Sequence, residues 1–214
     1  MSSSRRFFSA MGTVKSAMGI GGDKPVVQVR SFYELKSVTG EGKKTYDFSQ
    51  LKGKVVLISN VASKCGLTDS MYKALGSVAQ KYGPTGDFVV LAFPCSQFMG
   101  QEYKDMSETC PFVRSILSKF GDIQDKGYFT LMDKTDVNGD KTHDVFHFLK
   151  YNSSLFNESK QISSPISWNF GKFLIDKEGR VVKYYAPTDD KLENDIQAVI
   201  EGRLAGNPVR PPVL

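Results

Sequence analysis

Two apolar runs, residues 54–61 and 88–93, dominate the hydrophobic pattern of the chain. Such nearly continuous runs are typical of strands buried on both faces. The segment between them has helical periodicity and ends at Gly83-Pro84, with Thr68 or Asp69 expected to cap its start. Its apolar stripe consists of Met71, Leu75, Val78 and Tyr82. Strand, helix and strand in this order predict a βαβ unit with parallel strands.

Further alternation of helix and strand follows this unit. Helices are predicted at about 109–120 and 141–151, and a hairpin joins 173–175 to 181–185. A final helix directs an apolar stripe toward the core, formed by Leu192, Ile196, Val199 and Leu204. Residues 25–205 are therefore expected to form one α/β domain. The Pro-rich tail at 206–214 is expected to be extended.

The N-terminal extension, residues 1–24, has a different composition. It contains Arg5, Arg6 and Lys15, five serines, and no acidic residue before Asp23. This composition is typical of an organelle-targeting segment, with the mitochondrion favoured over a plastid or the cytoplasm. A basic tail or a docking arm is the alternative.

The 214-residue chain is 40% hydrophobic and 24% charged, as in an ordinary globular protein. Its net charge is +5, which suits a membrane surface or an acidic partner in a larger complex, but the basic residues are scattered. We therefore expect no nucleic-acid partner. His143 and His147 lie four residues apart without a third ligand, so no metal site is expected. No cofactor is expected either.

The three cysteines indicate free thiols rather than a disulfide framework or a zinc site. Cys65 lies where a buried strand gives way to a helix, the position at which chemistry collects in open α/β sheets. The positive end of the helix and the ammonium of Lys64 favour a thiolate there. From position alone, a buried structural cysteine is an equally good interpretation.

Three motifs surround this cysteine in sequence order. The first is Asn60-Val-Ala-Ser-Lys-Cys-Gly-Leu-Thr68, and the second is Leu91-Ala-Phe-Pro-Cys-Ser-Gln-Phe98 with Gly100-Gln101-Glu102. The third is Trp168-Asn169-Phe170. Together they resemble the glutathione peroxidases that carry cysteine in place of selenocysteine, over roughly residues 28–203. The resemblance implies a thioredoxin-like fold, with a central mixed β-sheet flanked by helices.

The resemblance also implies a catalytic tetrad of Cys65, Gln97, Trp168 and Asn169. The last three offer neutral N–H donors that can stabilise a thiolate and the oxygen leaving a peroxide. Lys64 and Gly66 are expected to support the thiolate. The implied reaction reduces hydrogen peroxide and organic or lipid hydroperoxides through a Cys65 sulfenic acid, which a thioredoxin-type protein or glutathione then reduces.

The chain departs from the family at several positions. Arg114 stands where a resolving cysteine is usual, and Cys110 lies one helical turn earlier. Because Ser107 or Thr109 is expected to cap that helix, Cys110 is a candidate resolving cysteine with a lowered pKa. Cys95 is interpreted as structural.

Two further departures bear on assembly and reductant. A long loop used for tetramer assembly is missing between residues 151 and 167, which indicates a monomer. Tyr184 replaces an arginine often found in the family, which weakens the case for glutathione as reductant. A redox relay and an accessory subunit of a larger mitochondrial assembly remain alternative functions.

Overall fold

The computed structural model describes residues 22–189 and 191–213. The proposed targeting segment falls almost wholly outside these residues. A five-stranded mixed sheet with the order β5-β4-β3-β8-β9 forms the centre of the molecule. Its strands are β3 (Val55–Val61), β4 (Phe88–Pro94), β5 (Phe129–Leu131), β8 (Lys172–Ile175) and β9 (Val181–Tyr185).

The middle of the sheet confirms the predicted βαβ unit. Strands β3 and β4 are buried at every position and pair in parallel, with Val55 opposite Phe88 and Val61 opposite Pro94. The predicted hairpin is also present, and its strand β8 pairs antiparallel with β3. Both ends of the apolar runs therefore lie within one residue of their predicted positions.

Four helices flank the sheet in the described part of the chain: α1 (Thr68–Tyr82), α2 (Met106–Leu117), α3 (Asp144–Tyr151) and α4 (Leu192–Ile200). The predicted caps of the first two were wrong. Leu67 occupies the N-cap position of α1, because the Thr68 hydroxyl is engaged in the preceding loop. Helix α2 begins earlier than predicted, after Asp105, and Thr109 faces inward to donate to Glu102.

Helix α3 begins three residues later than predicted. His143 ends the preceding turn, and its Nδ1 accepts a hydrogen bond from the N–H of Val145 at 3.2 Å. Burial lowers the pKa of both His143 and His147. His143 is thus a helix cap in this structure, with one ring nitrogen engaged by the backbone.

Three short pairing elements were not predicted. Strands β1 (Lys36–Val38) and β2 (Thr45–Asp47) form a hairpin, and β6 (Phe156–Asn157) pairs with β7 (Ile162–Ser163). Edge strand β5 contains only three residues. Elements of two or three residues carry too little periodicity to be read from sequence, and their formation depends on the partner that they contact.

Both ends of the described chain pack against the domain. Asp23 exchanges backbone hydrogen bonds with Ser163, and its carboxylate lies 2.7 Å from the ammonium of Lys150. Val27 forms a backbone bridge with Val213 in the tail. We therefore propose that the structural unit includes Asp23 and the extended tail. Within the described residues, no helix has the length and apolarity needed to cross a membrane.

Candidate active site

The topology brings the three sequence motifs to one end of the sheet. Cys65 follows the carboxyl end of β3, and Gln97 follows the same end of its parallel neighbour β4. Trp168 and Asn169 immediately precede β8, which runs antiparallel on the other side of β3. The backbone N–H of Phe170 donates to the Asn60 carbonyl at 2.7 Å, which fixes the third motif beside the end of β3.

Cys65 is 9% exposed and lies at the start of α1. Its Sγ accepts a hydrogen bond from the backbone N–H of Leu67 at 3.5 Å. Leu67 holds the N-cap position, where backbone N–H groups carry the positive end of the helix dipole. The helix terminus therefore directs a neutral backbone N–H donor at the sulfur.

Thr68 holds the loop that carries Cys65. Its Oγ1 accepts from the Cys65 N–H at 3.1 Å and donates to the Ala62 carbonyl at 2.8 Å, and the side chain is buried. One hydroxyl thus satisfies two buried backbone groups and fixes the turn between β3 and α1. The sequence indicated Thr68 only as a helix cap, so this role was missed.

We expect Thr68→Val to lower the free energy of unfolding by about 1–3 kcal/mol, because it leaves a buried N–H and a buried carbonyl without partners. Urea unfolding followed by Trp168 fluorescence measures this loss. Thr68→Ser is the matched control, since it retains the hydroxyl and should remain close to the parent protein. Equal stability of the valine and serine variants would contradict the assigned role.

Lys64 and Gly66 flank Cys65 and are both exposed. The ammonium of Lys64 lies 4.1 Å from the ring centroid of Tyr103, and its backbone N–H donates to the Gln101 carbonyl at 2.8 Å. Lys64 therefore joins the Cys65 loop to the second motif, while the contact to the sulfur comes from Leu67. A Cβ added at Gly66 would meet nothing within 4 Å, so the space beside Cys65 is open.

The side-chain amide of Gln97 is held by the loop that precedes α3. Its Oε1 accepts from the N–H groups of Val137 and Asn138 at 2.8 and 3.0 Å, and its Nε2 donates to the Asn138 carbonyl at 2.7 Å. Three backbone bonds fix the amide plane, and the second N–H of Nε2 is left as a donor.

Trp168 and Asn169 are held by different contacts. The half-buried Trp168 ring packs on Phe98, with the ring centroids 5.9 Å apart. The backbone carbonyl of Trp168 accepts a hydrogen bond from Asn60 Nδ2 at 3.1 Å. The fully buried Asn169 donates from Nδ2 to Gln101 Oε1 at 2.9 Å. Its Oδ1 has no hydrogen-bond partner within the described chain. Asn169 thus presents an unsatisfied acceptor and one remaining donor.

Gln101 and Asn138 connect the parts of the site and were not singled out in the sequence. Gln101 binds Lys64 through its carbonyl and Asn169 through its side chain. Asn138 holds Gln97 with its backbone, while its side chain exchanges hydrogen bonds with the backbone of Ile166. Gln101 belongs to the second motif, and this position was the only signal for it in the sequence; Asn138 lies outside the three motifs.

Cys95 is fully buried, and burial raises its pKa to about 12. Its backbone N–H donates to the carbonyl of Val61, which ties the ends of β3 and β4 together. A thiol with this pKa stays protonated at neutral pH. The environment is that of a structural cysteine.

Cys110 contradicts the expectation of a lowered pKa. Burial raises the pKa of its thiol, as do the nearby carboxylates of Glu41 and Asp133, while Arg114 acts in the opposite direction. The thiol lies in the second turn of α2, in a cavity beside the edge strand β5. The sequence prediction was wrong because no capping side chain acts at Asp105 and because the carboxylates come from distant segments.

We expect alkylation of Cys110 by iodoacetamide to be slow at pH 7 and to need a more alkaline pH than alkylation of an exposed thiol. The sign follows from the raised pKa, since the thiolate is the reactive form. Glu41→Gln should shift the profile to lower pH, because it removes a neighbouring negative charge and frees Arg114. Peptide mass spectrometry reads the rate. If the pH profile of alkylation is unchanged in Glu41→Gln, then Glu41 does not contribute to the raised pKa of Cys110.

The fold and the site together define a thioredoxin-like protein with a cysteine at the carboxyl end of its central strand. The family model for glutathione peroxidase matches residues 32–150. The chain therefore belongs to the glutathione peroxidase family.

Relatives support the same family. The chain is 41% identical over 170 residues to phospholipid hydroperoxide glutathione peroxidase 1, chloroplastic, of Arabidopsis thaliana, covering 78% of this chain and 65% of that protein. It therefore spans slightly less than two thirds of that relative's length. It is 39% identical over 201 residues to glutathione peroxidase 1, mitochondrial, of Chlamydomonas reinhardtii, covering 93% of this chain and 92% of the relative.

Among solved structures, the chain is similar to the crystal structure of Trgpx in its apo form. The TM-score is 0.60 at 34% identity, covering 83% of this chain and 99% of that chain.

Proposed function

We propose that the protein is a thiol peroxidase that reduces hydrogen peroxide and organic or lipid hydroperoxides at Cys65. The observation that carries this proposal is the placement of the Cys65 Sγ. It accepts a hydrogen bond from the Leu67 N–H at the start of α1, and it lies at the end of the sheet that also carries the second and third motifs. The Cys65 thiolate attacks the terminal oxygen of R–O–OH, the O–O bond breaks, and the leaving alkoxide takes a proton. The products are a Cys65 sulfenic acid and an alcohol or water.

The remaining members of the tetrad would stabilise this step. Gln97 and Asn169 each retain one amide N–H, and Trp168 contributes an indole N–H. The unsatisfied Oδ1 of Asn169 is a suitable acceptor for the O–H of a bound hydroperoxide. These uncharged groups are held in place by backbone and side-chain bonds, so they can stabilise the developing charge with little reorganisation.

A thioredoxin-type protein or glutathione would then reduce the sulfenic acid. Cys110 remains the candidate resolving cysteine, although all three thiols are free in this structure and its raised pKa slows attack at neutral pH. A protein dithiol is the better reductant for this chain, because Tyr184, with its half-buried ring against Phe173, stands where the family often has an arginine.

We further propose that the protein acts as a monomer in an organelle. The names of its relatives include both mitochondrial and chloroplastic members, and the basic composition of residues 1–22 suits import into either. The mitochondrion is our first choice, and binding to a larger assembly or to a membrane surface is compatible with the net charge of +5.

The test is a peroxide assay on the reduced protein with hydrogen peroxide and a fatty-acid hydroperoxide, run separately with thioredoxin and with glutathione. We expect turnover with thioredoxin to exceed turnover with glutathione. Trapping with dimedone should label Cys65, as read by peptide mass spectrometry. A protein that consumes no hydroperoxide with either reductant, or that carries no label on Cys65, would contradict the proposal.

A further inference from the structure

A second cavity lies beside the sheet, between α1 and α4, and is not lined by the tetrad. Its volume is about 500 Å³, within the range of roughly 300–1,000 Å³ found for small-molecule sites. Much of its wall is apolar, formed by Met71, Ala74, Val78, Pro187 and Leu192. Lys172, the first residue of β8, also lines it.

Lys172 is only 2% exposed, and among the described residues no carboxylate forms an ion pair with its ammonium, although Asp189 is near enough to oppose the effect of burial on its pKa. Its one hydrogen bond is to the carbonyl of Pro187 at 2.8 Å, which leaves two N–H donors. Lys150, the other fully buried lysine, is paired with Asp23 at 2.7 Å. Buried charges are almost always paired, so the environment of Lys172 is incomplete.

The charged residues around the cavity indicate which kind of anionic ligand would pair with Lys172. Lys73 from α1, Asp189 from the preceding loop and Glu193 from α4 line the cavity with Lys172. Glu193 is paired with Lys81 at 2.6 Å. Asp189 and Glu193 disfavour a polyanion such as a nucleotide, whereas a single carboxylate can accept the remaining N–H donors of Lys172. The apolar wall suits a hydrocarbon chain attached to that carboxylate.

We propose that the cavity between α1 and α4 binds a fatty acid, with its carboxylate on Lys172 and its acyl chain along Met71, Ala74, Val78 and Leu192. Burial lowers the pKa of Lys172 to about 8 against the opposing effect of Asp189. A bound carboxylate raises that pKa again, because it stabilises the charged form. Binding is therefore coupled to proton uptake.

Isothermal titration of the full chain with sodium laurate below its micellar concentration tests the site. Lys172→Met should weaken laurate binding by at least about tenfold, because it removes a charge-assisted hydrogen bond. Lys73→Met removes an exposed lysine from the same wall and should change the affinity by less than about threefold. Monolaurin, which has the same chain without a charge, should bind the parent protein as weakly as laurate binds Lys172→Met.

Two further measurements keep the test independent of how well Lys172→Met folds. At pH 8, titration in buffers of different ionisation enthalpy should show uptake of about half a proton per laurate bound. Ala74→Phe, which fills the apolar part and leaves Lys172 in place, should also abolish binding. Absence of laurate binding to the parent protein, equal binding of monolaurin, or equal losses in the Lys172 and Lys73 variants would overturn the proposal.

Discussion

Cys65→Ser is expected to lower hydroperoxide reduction by about a thousandfold or more. A serine hydroxyl is far less ionised than a thiol and cannot form a sulfenic acid, so no covalent step remains. The fold should be retained, because the Cys65 N–H that binds Thr68 belongs to the backbone and the side chain changes by one atom.

Single-turnover measurement separates this effect from slow recycling. The reduced parent protein should consume about one equivalent of hydroperoxide without added reductant, and Cys65→Ser should consume none. Cys110→Ser is the matched control, since it makes the same change at another partly buried thiol and should still consume one equivalent. Consumption by Cys65→Ser at the parent rate would remove Cys65 as the nucleophile.

If Cys110 also resolves the sulfenic acid, the two variants differ in a second respect. The parent protein should then form a Cys65–Cys110 disulfide after one turnover, whereas Cys110→Ser should stop at the sulfenic acid. Helix α2 contains Pro111, which removes one backbone hydrogen bond near the start of the helix. The turn that carries Cys110 is thus weaker than the rest of α2, and we expect this turn to open when the disulfide forms.

The central strands could be predicted because each apolar run is strand-sized and nearly continuous, as expected for a strand buried on both faces. Residues 55–61 and 88–94 are buried at every position, and the helix between them forces a parallel pairing. The short strand Phe129–Leu131 could not be predicted, since its three residues acquire strand geometry only against β4. The length of the apolar segment therefore decides whether a strand can be predicted from sequence.

In the active site, too, contacts within one sequence segment could be predicted, whereas contacts between distant segments could not. Local sequence placed Cys65 at the junction of β3 and α1, and the helix supplied the expected N–H donor. The partners of Gln97 and Asn169 are backbone or side-chain groups of Asn138 and Gln101, which lie far away in sequence. The pKa of Cys110 was mispredicted for the same reason, because Glu41 and Asp133 approach it only in the folded chain.

The buried ion pair between Asp23 and Lys150, at the N-terminal end of the domain, is expected to contribute strongly to the stability of the fold. The side chains of Lys150 and Asp23 are 1% and 9% exposed, and the same carboxylate oxygen accepts the N–H of Gly139 at 3.1 Å. Burial lowers the pKa of Lys150, and Asp23 counteracts that shift. The carboxylate is thus the group that makes a buried ammonium tolerable beside α3.

We expect Asp23→Asn to lower the free energy of unfolding by about 3–5 kcal/mol, because it leaves the Lys150 charge buried without compensation. Asparagine keeps the shape of the side chain and an oxygen for Gly139, so the loss reports mainly the removed charge. Urea unfolding at pH 7 measures it. Asp122→Asn, which breaks the exposed pair with Lys126, should produce no measurable change.

A double variant decides whether the pair matters for its charge or for its packing. Adding Lys150→Met to Asp23→Asn removes the uncompensated ammonium and supplies an apolar side chain of similar length, so most of the lost stability should return. If the double variant stays as unstable as Asp23→Asn, packing of the N-terminal segment against α3 is the cause. If Asp23→Asn is as stable as Asp122→Asn, the pair contributes nothing, and the folded unit has no electrostatic need to begin before residue 25.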